Sequence, residues 1–305
     1  VLIPCLNEAA AIGSVVRGFK RALPRAAIYV YDNGSSDGTA AAAKKAGATV
    51  GREPERGKGN VIRRMFSEIE ADIYVLVDGD GTYNPSDVKS MVARLEADRL
   101  DMVVATREAK EGSGAYRSGH RSGGRLLTQV VGYLFGHPLA DMLSGYRVFS
   151  RRFVKSFPAL TTGFEIETEL TIHALELHLP IGEMPSAYGA RGKNSASKLH
   201  TVRDGIRILR TILLLFQEIR PLVFYGLLGL AAMVLSWGLA LPVIREFLET
   251  GLVPRFPTAI LALGLQLLGV ILLAIGIIMR AVARGRREAK RLHYLNAGRQ
   301  KELSA

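Results

Sequence analysis

With one cysteine, Cys5, the chain can form neither an internal disulfide nor a multi-cysteine zinc site. That fits a reducing, cytosolic face. Its six histidines contain no metal-spaced pair: His173 and His178 are five apart and do not share a helical face well, so all six read as structural or surface residues. No Gly-x-Gly-x-x-Gly follows the first apolar run, as a nicotinamide-binding fold would require. A Walker loop is absent too, because Lys58 is followed by Gly59 and no glycine stands five residues before Gly57. There is no internal repeat and no secretory signal pattern. Val1 lies inside an apolar run, so a short N-terminal piece is expected to precede it. Finally, two long stretches, 222–244 and 258–279, contain no charged residue. Each is long enough to cross the hydrocarbon core of a bilayer.

What is present is distributed unevenly. The 305 residues suffice for one large α/β domain and an appendage, and 48% apolar with 22% charged residues reads as folded chain. The net charge of +12 invites a nucleic-acid reading, but its placement argues against one. Arg280, Arg284, Arg286, Arg287, Lys290 and Arg291 follow one charge-free stretch, and Arg203, Arg207 and Arg210 precede the other. Basic residues in such positions mark the cytoplasmic side of spans and attract anionic headgroups. The two stretches therefore read as a membrane hairpin with Arg245–Pro257 outside and the rest in the cytoplasm, rather than as buried helices of a soluble domain. Ile206, Leu209, Leu213 and Phe216 form a stripe opposite the arginines, as in an interfacial helix on the bilayer or, equally, a helix packed on the catalytic domain. The expected division is a catalytic domain over 1–198, a juxtamembrane helix over 199–221, a hairpin over 222–280 and a basic tail over 281–305. The expectation is a multi-pass protein of the cytoplasmic membrane, its catalytic domain facing the cytoplasm, with room for a homo-oligomer.

Before residue 185, apolar runs alternate with amphipathic segments. Val1–Pro4, Ile28–Tyr31, Ile73–Val77 and Met102–Ala105 have the length and β-branched content of buried strands. Ile12, Val15, Val16, Phe19 and Leu23 share one helical face. Asn84 before Pro85 is a helix start, and Val88, Met91, Val92 and Leu95 form the stripe that follows. This alternation builds an α/β fold with a mostly parallel sheet, whose ligands bind beyond the carboxyl ends of the strands.

The acidic residues stand at those ends. Asp78-Gly79-Asp80 follows the third run, and two carboxylates one residue apart can share a hard cation such as Mg²⁺ or Mn²⁺ with diphosphate oxygens. Asp32 opens Asp32-Asn33-Gly34-Ser35-Ser36-Asp37-Gly38-Thr39, where it can accept hydrogen bonds from a nucleobase or ribose while Asp37 caps the next helix. Pro4-Cys5-Leu6-Asn7-Glu8 ends the first run. Arg56-Gly57-Lys58-Gly59-Asn60 opens a helix whose N–H groups suit a nucleotide or phosphate. Arg107, Arg117, Arg121 and Arg125 border a glycine-rich loop and could clamp a lipid phosphate through forked donors. Glu165, Glu167 and Glu169 open a helix, as dipole partners or as catalytic groups.

Taken in order, Pro4–Glu8, Asp32–Thr39, Asp78–Asp80 and Asp141–Arg147 make the chain resemble the family-2 glycosyltransferases. The resemblance is to the branch of dolichyl-phosphate-mannose synthases and bacterial polyprenyl-phosphate glycosyltransferases, and it extends to about Leu199. It implies a nucleotide-diphospho-sugar transferase (GT-A, Rossmann-like) fold. It implies that Pro4, Leu6, Glu8, Asp32, Lys58, Asp78 and Gly79 hold the nucleotide-sugar and that Asp80, with Asp78, binds the metal. It further implies that Ser144 and Arg147 bind the acceptor phosphate with Arg107, Arg117 and Arg121, and that Asp141 lies near the reacting carbon, with Glu167 a second catalytic candidate. Tyr188, Arg191, Ser195 and Lys198 resemble a segment that closes over the diphosphate. Asn33 departs from the pattern, where many relatives carry a second aspartate.

The implied reaction is inverting transfer of a sugar from a nucleotide-sugar to undecaprenyl or dolichyl phosphate. UDP-hexose or UDP-N-acetylhexosamine is preferred over GDP-mannose as donor. Alternatives are a family-2 enzyme with another acceptor and a silent membrane scaffold or carrier. Processive relatives carry Gln-x-x-Arg-Trp, but the one tryptophan here, Trp237, lies inside a span.

Overall fold

The structure, a computed structural model, describes residues 1–108, 128–129, 131–134, 139–189 and 201–302. It divides into two compact units: Val1–Ile212 together with the chain from Lys290 onward, and Leu213–Ala289.

The first unit is built on seven strands: β1 (Leu2–Cys5), β2 (Tyr29–Asp32), β3 (Thr49–Arg52), β4 (Ile73–Leu76), β5 (Met102–Glu108), β6 (Arg147–Ser150) and β7 (Ile181–Ala187). Their order in the sheet is β3-β2-β1-β4-β6-β5-β7. β6 runs antiparallel to both β4 and β5, and the other pairs are parallel. Period-two alternation sends side chains to both faces. Ile3, Val30, Val75, Val103 and Val148 pack with α1 (Ala9–Ala22) and α4 (Val88–Ala97). Leu2, Leu76, Met102, Val104 and Phe149 pack with α3 (Lys58–Glu68) and two later helices introduced below. Both helical stripes read from sequence are found, with Ile12, Val15, Val16, Phe19, Val88, Met91 and Leu95 buried. Asn84 accepts a hydrogen bond from Ser86 N–H at 3.2 Å, but it caps a 3₁₀ turn over Pro85–Asp87 that precedes α4.

The reversed strand β6 matters most for the site. Leu76 pairs with Arg147, so the segment entering β6, Asp141–Tyr146, arrives at the same edge as the segment leaving β4, Asp78–Asp80. A parallel strand would have put the two at opposite ends of the sheet.

At the far edge, the short α5 (Arg151–Ser156) and α6 (Ile166–Glu176) meet the end of the chain. All eleven residues of α6 are buried. Asp101, entering β5, has no exposed surface; its Oδ1 accepts from Ser150 Oγ at 2.6 Å and its Oδ2 from Tyr294 O–H at 2.7 Å. Arg152 lies over the Tyr294 ring at 5.0 Å, and Arg151 donates to the Ala297 carbonyl at 2.9 Å. Lys290 pairs with Glu176 at 2.7 Å.

His173 on α6 stands edge-on to Phe153 and Phe157, with Nε2 3.3 Å from Ser156 Oγ and Nδ1 buried without a hydrogen-bond partner. Burial, then the nearby Lys290 charge, pushes its pKa down to about 3. An unfolded histidine titrates near 6.5, so above that pH the group has no effect on stability, and below it stability falls as the unfolded state takes up a proton. Thermal denaturation between pH 7.5 and 4.5 is expected to lose midpoint on the acid side, and His173→Leu to remove part of that slope.

In the second unit, α8 (Pro221–Thr250) and α9 (Phe256–Glu302), the latter continuing into the first unit, are both long and apolar enough to cross a membrane. They pair antiparallel through small residues: Gly229 abuts Gly269, Gly276 abuts Leu222 and Tyr225, and Ser236 Oγ donates to the Ala262 carbonyl at 2.6 Å. Such seams bring helix backbones close where lipid supplies no hydrophobic drive between helices. Leu227, Val234, Trp237 and Ile277 are more than half exposed, unlike the side chains of a buried helix pair. The connector is shorter than expected. α8 runs through Arg245, which pairs with Glu249 one turn on, and ends at the left-handed Gly251. Nor is 281 a boundary, since α9 continues unbroken through the basic cluster.

α7 (Thr201–Ile219) leaves Ile206, Leu209 and Leu213 of that stripe exposed. Phe216, expected in that stripe, is buried and stands edge-on to Phe224.

Candidate active site

Three strand ends are tied together by side chains from their own loops. Asn7, with a left-handed φ of 51°, donates its N–H to Ser35 Oγ and accepts from Ser36 N–H, each at 2.8 Å. The Asp37 carboxylate accepts from Thr39 N–H (3.1 Å) and from Ala9 N–H (3.0 Å), so it serves the first turns of two helices, α1 and α2 (Thr39–Lys45). Burial raises its pKa, but these hydrogen bonds outweigh burial and hold the carboxyl below the usual range. Glu8, buried at the start of α1, gives its N–H to Thr39 Oγ1 at 2.8 Å. Pro4 lies within β1 and Leu6 is half-buried just beyond it. Asp32 is buried at the end of β2, with Ser35 N–H 3.1 Å from its Oδ2.

Asn33 has a structural task. Its amide donates to the Glu53 and Glu55 carbonyls (3.0 and 2.7 Å), and its Oδ1 accepts from Gly57 N–H at 2.8 Å. An aspartate cannot make those two donations.

The Gly57-Lys58-Gly59 segment opens α3 as expected, but two of its N–H groups serve the fold instead of a phosphate. Gly57 N–H goes to Asn33, and Gly59 N–H to the Thr162 carbonyl at 2.9 Å. A Cβ on Gly59 would collide with the Thr161 carbonyl oxygen, so glycine is needed here for backbone contact.

Lys58 is the hub. Its ammonium lies 2.5 Å from Asp78 Oδ1 and also pairs with Glu167, and its side chain is almost fully buried. Burial alone would lower the lysine pKa, yet the Asp78 and Glu167 charges reverse that and keep it above the ordinary value. Glu167, also buried, is held above the ordinary carboxylate range by burial, opposed by Lys58. Among the three glutamates, Glu169 accepts from Leu160 and Thr161 N–H (both 2.8 Å), and Glu165 from Gly163 N–H at 3.2 Å. Those two anchor the loop before α6, which leaves Glu167 facing the site. The anchored loop presents Phe164, whose ring centroid is 6.0 Å from Lys58 Nζ.

Asp80 is buried, and its Oδ1 accepts from Thr82 N–H (3.1 Å) and Oγ1 (2.7 Å). Gly79 packs against Cys5 Sγ. The acceptor-side turn abuts this motif directly: a Cβ on Gly145 would strike the Asp78 carboxylate. Tyr83, which sequence reading missed, holds the turn by accepting from Gly145 N–H at 2.9 Å and lying 3.3 Å from Ser144 Oγ. Nothing in the sequence marks this tyrosine beyond its nearness to the aspartates.

Arg107 and Asp141 form a forked pair at 2.7 and 2.8 Å, and the Arg107 guanidinium lies 5.6 Å from the centre of the Tyr188 ring. Two expected phosphate ligands are placed elsewhere. Arg147 has no exposed surface; its guanidinium donates to the Ser144 carbonyl and Thr171 Oγ1 (each 2.9 Å) and to the Met142 carbonyl. Burial pulls its pKa down to about 10. Ser144 is also fully buried, so in this structure the polar groups of both residues serve the turn. Arg117, Arg121, Arg125, Arg191, Ser195 and Lys198 lie outside the described residues.

Comparison with known proteins matches residues 1–157 to the family model described as glycosyl transferase family 2. Glycosyltransferase AglJ of Haloferax volcanii is 31% identical over 279 residues, covering 91% of each chain. Dolichyl-phosphate hexose transferase of the same organism is 27% identical, covering 72% of this chain and 94% of that one. Among solved structures, glucosyl-3-phosphoglycerate synthase from Mycobacterium tuberculosis, in complex with Mn²⁺, UDP and phosphoglyceric acid, aligns with a TM-score of 0.59 at 21% identity. That match covers 70% of this chain and 77% of that chain, and it is a likeness of fold, a GT-A-like sheet. With its four motifs gathered on one sheet edge, the chain belongs to glycosyl transferase family 2.

Proposed function

We propose that the protein transfers a hexose or N-acetylhexosamine from a UDP-sugar to a polyprenyl phosphate, with inversion, at the cytoplasmic face of a membrane. The observation that carries this reading is the Lys58 bridge. One buried ammonium joins Asp78 of the nucleotide motif to Glu167 beside the acceptor turn, in a chain with two helices able to cross a bilayer. Relatives named for dolichyl-phosphate hexose transfer support the acceptor class.

Among the described residues no group of three or more histidine, cysteine or acidic side chains could hold a metal by itself. The two carboxylates of Asp78 and Asp80 nevertheless suit a Mg²⁺ or Mn²⁺ ion that completes its shell with diphosphate oxygens. Such an ion, when bound, supplies charge neutralisation for the leaving diphosphate. The remaining work falls to side chains. Asp32, Glu8 and the β1 end hold the nucleoside, and Lys58 fixes Asp78. An oxygen of the lipid phosphate forms a bond to the anomeric carbon as the bond to the nucleoside diphosphate breaks, its electron pair leaving with the diphosphate. Phosphate monoesters are already largely ionised at neutral pH, so no base is required for the attack. Glu167 therefore orients Lys58, and Asp141 orients Arg107 towards the incoming phosphate. The arginines following the second charge-free stretch, within α9, favour the cytoplasmic orientation.

Purified protein in detergent, given Mn²⁺, a panel of UDP- and GDP-sugars and undecaprenyl phosphate, is expected to yield one polyprenyl-phospho-sugar by mass spectrometry. Transfer confined to some other acceptor, or none with any donor, would overturn the reading.

A further inference from the structure

We propose that Lys290–Ala297, the distal part of α9 that belongs to the first unit, is a strap that sets the active-site end of α6, making Lys290 and Tyr294 positioning residues for transfer. The inference rests on the function proposed above.

α6 is the link. Glu167, near its start, holds Lys58 against Asp78; Glu176, its last residue, is held by Lys290. Nine residues at 1.5 Å each separate the two carboxylates along the axis by about 13 Å. Because every residue between them is buried, α6 cannot bend around a local change and moves as a body. The strap grips the surroundings of that body at three points. Lys290 takes Glu176, Tyr294 takes the second oxygen of buried Asp101, and the Ala297 carbonyl takes Arg151 at the start of α5. α5 carries Phe153, which packs on His173 of α6.

The chemistry makes these contacts consequential. Glu176 keeps little exposure, so without Lys290 its carboxylate must find water, and the end of α6 must shift outward to reach it. Asp101 without the tyrosine hydroxyl retains Ser150 and the Arg152 ion pair on Oδ1 but has its buried Oδ2 left without that donor, and the β5–β6 edge relaxes. A displacement of α6 by a fraction of an ångström reaches Glu167 undiminished. There it changes the geometry of Lys58 and Asp78, where positioning dominates the rate.

The test uses the full chain in detergent with Lys290→Met, Tyr294→Phe and Lys290→Arg. Lys290→Met combined with Tyr294→Phe is expected to lower kcat about tenfold while KM for the nucleotide-sugar stays within about twofold, as misplacement without lost binding would. Lys290→Arg, which keeps the pair, is expected to retain most of kcat. Hydrogen exchange at the amides of Glu169, Leu170 and Thr171 should speed up in Lys290→Met and stay unchanged in Lys290→Arg. Wild-type kcat, or a fall in kcat with those amides unaffected, overturns the proposal. If the double variant does not fold, Lys290→Met alone decides by the same two readouts. Should wild-type protein transfer no sugar to polyprenyl phosphate, the proposed function fails, while the exchange measurement still tests the strap.

Discussion

Asp80→Asn is expected to lower sugar transfer about a hundredfold, and Asp80→Ala about a thousandfold, the range seen when one charged stabiliser of a developing anion is lost. The pair of substitutions separates chemistry from folding. Asp80 Oδ1 accepts from the N–H and hydroxyl of Thr82, so alanine also leaves a buried N–H unpaired, at about 1–3 kcal/mol. Asparagine keeps an oxygen for Thr82 and removes the charge alone. Counting radiolabelled sugar in the organic phase across a Mn²⁺ titration measures the effect. An asparagine variant with more than half the original activity would remove Asp80 from the site.

Lys58→Met is expected to cost both rate and stability. The substitution leaves Glu167 and Asp78 facing each other with no cation between them, and breaking a buried pair in this way costs about 3–5 kcal/mol. The loss depends on pH with a definite sign. Glu167 already sits above the ordinary carboxylate range, and removing its ammonium raises it further. The variant's deficit is therefore largest near pH 8, where the unfolded glutamate is ionised, and narrows as pH falls towards the ordinary glutamate value near 4.3. Adding Glu167→Gln should restore much of the stability and little of the activity. Denaturant titrations at pH 8 and 5.5 on the two single variants and the double complete the cycle. A Lys58→Met protein as stable as wild type at both pH values would mean that the bridge contributes nothing.

Much of this was legible in the sequence. Short β-branched runs announce the strands β2 and β4, since local pattern alone determines them, and Asp32 and Asp78 stand at their carboxyl ends. What was not legible depended on long-range contact. Arg147 sits in a motif and reads as a phosphate ligand; only the reversal of β6 beneath α6 turns its guanidinium inward onto Met142, Ser144 and Thr171. The N–H groups at Gly57 and Gly59 read as suited to a nucleotide or phosphate, whereas they go to Asn33 and the Thr162 carbonyl. Lys290 reads as one more basic residue for a bilayer, until Glu176, distant in sequence, appears opposite it. The glutamate triplet is a middle case. Glu165 and Glu169, one helical turn apart, share a face, and Glu167 points away from them. That periodicity was present in the sequence, but which face met the site was not.

The contacts of Tyr294 and Lys290 also set an order of assembly. Chains emerge from the ribosome amino end first, and domains begin folding as they emerge. Residues 1–212 thus collapse while Tyr294 and Lys290, which bond to Asp101 and Glu176, are still unmade, more than seventy residues downstream in a stretch dominated by two long apolar helices. The catalytic unit is closed later, by the distal turns of α9. Competence for transfer then follows the synthesis of both helices instead of preceding it, and a ribosome stalled before Tyr294 holds a fold whose buried Asp101 still lacks the hydroxyl on its second oxygen.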